Sequence, residues 1–116
     1  MSKTTQKQFE IFQEEVNKWV DMLGLYEWDV HVSIDEMNAH GQCQFDLVNR
    51  KAIVELSDEL QKTNALESEI RLCALHEVLH ILIGKLYIMS RNRKWNDEEY
   101  TEEEHVVINR LIKVLQ

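Results

Sequence analysis

One stretch limits what this chain can become more than any other: residues 70–86, an almost unbroken apolar run. Ile70, Leu75, Val78, Ile81 and Leu86 fall on different sides of a helix, and a helix that is apolar all round is expected at the centre of a core. Set into that run is His76-Glu77-Val78-Leu79-His80. Two imidazoles four residues apart stand one turn from each other on one helical face. That spacing lets both rings reach one metal ion, with Glu77 beside them to take a proton from water. Burying two histidines and a glutamate without partners is costly, so such a helix needs something that satisfies them. The competing reading is a helix whose His and Glu side chains are purely structural.

The rest of the chain bounds the possibilities. A length of 116 residues fits one domain, residues 1–116, with one core. The formal net charge of -8 argues against nucleic acid as the main partner, because phosphate binding needs clustered Lys and Arg. The polar N-terminus has no signal-like apolar core, and the run at 70–86 is too short and too interrupted to span a membrane. Two cysteines, Cys43 and Cys73, make no disulfide scaffold, so a cytoplasmic location is the expectation. There is no Pro and no low-complexity linker.

Residues 5–23 read as an amphipathic helix with Phe9, Phe12, Val16, Trp19, Val20 and Leu23 on one stripe. Thr5 and Gln8 fit a capping box at its start, and Gly24 fits a left-handed stop at its end. Residues 28–34 alternate as a half-buried strand that turns His31 outward, which makes it a plain surface histidine. A second strand presents Cys43, Phe45 and Leu47 on one face, and residues 52–56 form a third. The short turn between them predicts an antiparallel hairpin. Asn64 with Glu67 predicts the cap of the motif helix, which is expected to run to about Leu86, with Gly84 loosening its end. Lys85, Arg91, Arg93 and Lys94 then form a locally basic connection. The last helix starts near Asn96 or Asp97, and its expected core face is Ile108, Leu111, Ile112 and Leu115. The fold class is therefore α+β: an N-terminal helix, a small three-stranded, mainly antiparallel sheet, the central motif helix and a C-terminal helix.

A catalytic zinc takes three protein ligands and leaves one position open. The motif supplies His76 and His80. Stepping back along the core face of the last helix reaches Glu104, the expected third ligand, with His105 as the alternative and Glu103 behind them. Glu104 also fits a plain capping box with Thr101. A fourth protein ligand, Cys73 or His105, would instead make a closed structural zinc site.

Taken with the strands and the later Glu103-Glu104-His105-Val106-Val107-Ile108-Asn109, the motif resembles the zincin metallopeptidases in their gluzincin-like form. The layout is closest to the very small metallopeptidase-like proteins of phages and mobile elements. The resemblance implies Zn2+ held by His76, His80 and Glu104, Glu77 as general base, and a peptide or protein substrate held along an edge strand. Tyr87, Tyr100 and His105 are candidates to assist the oxyanion, His105 foremost for its place beside Glu104, with a structural role as the competing reading of each. Gly84 falls one position too late for the metzincin pattern, and the Asp that assists the third ligand in larger gluzincins is not evident. Hydrolysis of a non-peptide bond, or a silent zincin-like module used for protein interaction, are the alternatives.

Overall fold

The computed structural model describes every residue except Arg93, one of the four cations of the basic connection. The elements run β1 (Ser2–Lys3), α1 (Gln6–Met22), β2 (Asp29–Asp35), β3 (Gly41–Asp46), β4 (Lys51–Ser57), β5 (Glu59–Leu60), α2 (Glu67–Leu82), α3 (Gly84–Ser90) and α4 (Asp97–Leu115). The class is α+β, as expected, with two small sheets among the described residues.

Helix α1 forms as its sequence dictates. The Thr5 hydroxyl accepts from the Gln8 backbone N–H at 3.1 Å, and the Gln8 side chain accepts from the Thr5 N–H at 2.8 Å. Gly24 ends the helix at φ 66, a backbone state that favours glycine. Phe12 and Val16 are fully buried and join the core with Val54, Leu56, Ile70 and Val78. Helices α1 and α2 pack on each other, and both rest on the sheet. They are also tied by Glu15, a buried acid that accepts from Arg71 Nη1 of α2 at 2.9 Å and from Trp19 Nε1 at 2.9 Å.

The three-stranded sheet corrects the expected topology. Its order is β2-β4-β3. The β3–β4 hairpin is antiparallel, with Cys43 opposite Val54, as the short turn predicts. Strand β4, however, runs parallel to β2, with Val32 opposite Val54 and Asp35 opposite Ser57, so the sheet is mixed rather than mainly antiparallel. The hairpin folds back so that β4 enters the middle and β3 becomes an edge. Ala52, Val54 and Leu56 face the helices, and Glu55 turns to the other side. There its carboxylate accepts from Gln42 at 2.8 Å and Ser33 at 3.4 Å, linking all three strands. Beyond the sheet, Leu60 is buried in β5, which pairs with β1.

Two further expectations change. Leu66, not Asn64, occupies the N-cap of α2, with no side-chain cap. The helix also does not run on to Leu86. It breaks at Ile83, and α3 leaves at an angle of 52°. Gly84 sits at the break with the Phe45 ring against it, and a Cβ there would stand 3.0 Å from the ring edge. Among the described residues, no single helix is long and apolar enough to cross a membrane.

Candidate metal centre

The motif lies in the last two turns of α2. One ligand atom from each of His76, Glu77 and His80 falls within 4.8 Å of the others, and the two imidazole rings meet edge-on at 5.0 Å between centroids. The face is set by what packs around the helix. Cys73, Ala74, Val78 and Ile81 turn into the core, and this leaves His76 and His80 exposed. The expectation of a helix buried on every side is therefore corrected. Leu72 and Ile83 are also exposed, so α2 has one open face and the imidazoles stand on it.

Glu77 is the buried member of the group, 6% exposed. Among the described residues no hydrogen bond or ion pair reaches its carboxylate. Burial holds its carboxyl above the usual range, against the opposing pull of His76 and His80. The wall over it is β3. At Gly41 a Cβ would stand 2.7 Å from Cys73 Sγ, 2.9 Å from the Glu55 carbonyl and 3.6 Å from Glu77 Cγ. Glycine is what lets the edge strand come this close to the motif helix. Cys43 and Cys73 flank Glu77 with their thiols pushed up to about 12, chiefly by burial. They are packing groups rather than nucleophiles.

Beside the group lies a pocket of about 320 Å³ lined by His40, Gly41, Glu69, Leu72, Cys73, His76 and Glu77. His40 Nε2 is buried there without a hydrogen-bond partner. Burial is the main influence on this ring and lowers its proton affinity. Sequence reasoning passed over His40, Gly41 and Glu69. Only the glycine carried a signal, as an isolated Gly at the start of an apolar strand.

Helix α4 does not join the cluster. It begins at Asn96, whose side chain accepts from the Glu99 N–H at 2.8 Å, so Thr101 falls inside the helix and caps nothing. Its buried residue is Val107, with Leu111 and Val114 packed on the core beside it. Ile108 and Ile112, expected inside, are 43% and 47% exposed, and Leu115 is also exposed. The inward face is thus one residue away from the expected one. Glu103 lines a shallow pocket with Lys85 and Trp95, while Glu104 and His105 are exposed and stand outside the His76–Glu77–His80 group. Tyr87 is occupied by Arg91, whose Nη1 donates to its hydroxyl at 3.0 Å, and His31 is exposed beside Asp29.

Two imidazoles and a carboxylate make a donor set suited to a divalent first-row metal such as zinc. The chain matches no protein-family model, and neither a characterised relative nor a solved structure matches it. The function is therefore read from this site, which is a cluster able to hold a metal ion.

Proposed function

We propose that the protein is a zinc-dependent hydrolase of the zincin type, cutting a peptide laid along the free edge of β3. The observation that carries this reading is the juxtaposition of the His76–Glu77–His80 group with an edge strand pressed against it at Gly41. His76 and His80 would hold the metal, which when bound supplies the Lewis acidity that activates water and polarises a carbonyl. Glu77 is the base: it accepts the proton of the attacking water and returns it to the leaving amine. Its burial favours this task, because a carboxylate with raised proton affinity is a better base near neutral pH. Along β3 the outward backbone N–H and C=O groups can pair with an extended peptide, since β4 occupies only the other edge.

One observation favours a second reading, a metal-binding module without catalysis: α4 leaves Glu104 outside the group. The two readings separate in one experiment. Purified protein should carry about one zinc per chain by elemental analysis. Glu77→Gln should keep that zinc and lower peptide hydrolysis by about 10²- to 10⁴-fold. Zinc retained with no hydrolysis by the unmutated protein supports the module. Folded protein that takes up no zinc sinks both.

A further inference from the structure

The pocket beside His76 and Glu77 has a chemistry of its own. One wall is apolar, from Leu72 and Cys73 of α2. Its remaining polar side chains are Glu69 and His40. The Glu69 carboxylate has no hydrogen bond or ion pair among the described residues. His40 Nε2 is buried beneath the pocket surface, so beyond the motif the accessible acceptor is Glu69. Beyond the motif, the pocket therefore presents one carboxylate, without a partner among the described residues, beside an apolar wall. A carboxylate beside apolar surface favours a ligand that carries an aliphatic stem and a cationic head.

We propose that this pocket receives a basic side chain of the substrate, arginine or lysine, adjacent to the bond that is cut. This rests on the hydrolase reading for the words "bond that is cut"; the binding preference itself does not. The aliphatic stem lies along Leu72 and Cys73, and the cationic head pairs with Glu69. The volume, about 320 Å³, suits a single long side chain rather than a bulky ligand. The chain's net charge of -8 draws the same class of partner.

The test is a binding measurement first and a cleavage measurement second. Two blocked pentapeptides, identical except for a central arginine or norleucine, are titrated into the protein and followed by amide NMR. The arginine peptide should bind more tightly and shift the amides of Gly41, Glu69 and Leu72. Glu69→Gln should weaken it by about fivefold to tenfold and leave the norleucine peptide unchanged. Glu69→Lys should favour a central glutamate instead. Equal binding of the two peptides, no binding of either, or a preference that survives Glu69→Gln overturns the proposal. Cleavage of the same peptides with zinc present is scored separately. Discrimination without cleavage leaves the pocket standing and removes the hydrolase, whereas cleavage without discrimination does the reverse.

Discussion

Helices α2 and α4 carry similar amounts of apolar side chain and are held very differently. Helix α2 is packed by α1 on one side and by β3 and β4 on another, so only one face remains and the histidines must occupy it. Helix α4 packs chiefly on α3, with one buried residue, Val107. Its apolar residues form two stripes about 100° apart, Val107–Leu111–Val114 and Ile108–Ile112–Leu115. When a helix has neighbours on several sides, they fix which face stays open, here the one that carries His76 and His80. When it has one neighbour, two adjacent stripes fit equally well and the packing partner decides. That is why the spacing of His76 and His80 could be read locally and the inward face of α4 could not.

Substitutions on the two helices separate them, and the largest expected effect is on metal binding. His80→Ala should abolish stoichiometric zinc binding, read by equilibrium dialysis, whereas Glu104→Ala should leave it intact. If Glu104→Ala releases the metal instead, the outer stripe of α4 reaches the site and the contrast between the helices collapses. Next comes stability. Ile70→Ala, in the fully packed part of α2, should cost about 2–5 kcal/mol by denaturant unfolding. Ile112→Ala on the outer stripe should cost less than about 0.5 kcal/mol. Comparable losses at the two positions would mean that α4 is buried on both stripes in solution. Gly41→Ala should cost about 1–3 kcal/mol, since its Cβ meets both a thiol and a backbone carbonyl.

The smallest effect concerns Glu77 in metal-free protein. Its folded proton affinity is raised by burial, so the charged form is penalised in the native state. The neutral acid's contribution is fully present below the unfolded carboxylate pKa, about 4.3, and is lost as pH rises through the folded value. Metal-free Glu77→Gln should therefore melt above the unmutated protein near neutral pH, with the gap closing as pH falls toward about 4. A gap that is constant with pH would mean that Glu77 is not desolvated.

What was legible in the residues was local. The capping boxes at Thr5 and Asn96, the stop at Gly24, the β3–β4 hairpin and the spacing of His76 and His80 each depend on neighbours a few positions away. What was not legible depends on distant partners. The parallel pairing of β2 with β4 joins strands separated by another strand, and no local signal encodes it. Asn64 and Glu67 matched a capping pattern, yet Leu66 took the cap. The break at Ile83 falls where the Phe45 ring, from a distant strand, lies against Gly84.

That last contact and the one at Gly41 have a joint consequence. Strand β3 meets the helical pair near both of its ends, at Gly41 by its own backbone against the motif helix and at Phe45 by a ring seated on Gly84, the first residue of α3. At each end the spacing is set by a missing methyl group. The gauge of the cleft between helix and strand is therefore written in two glycines. A side chain at either one would push the rail outward, and a peptide lying along it would move away from Glu77 without any ligand or base having been touched.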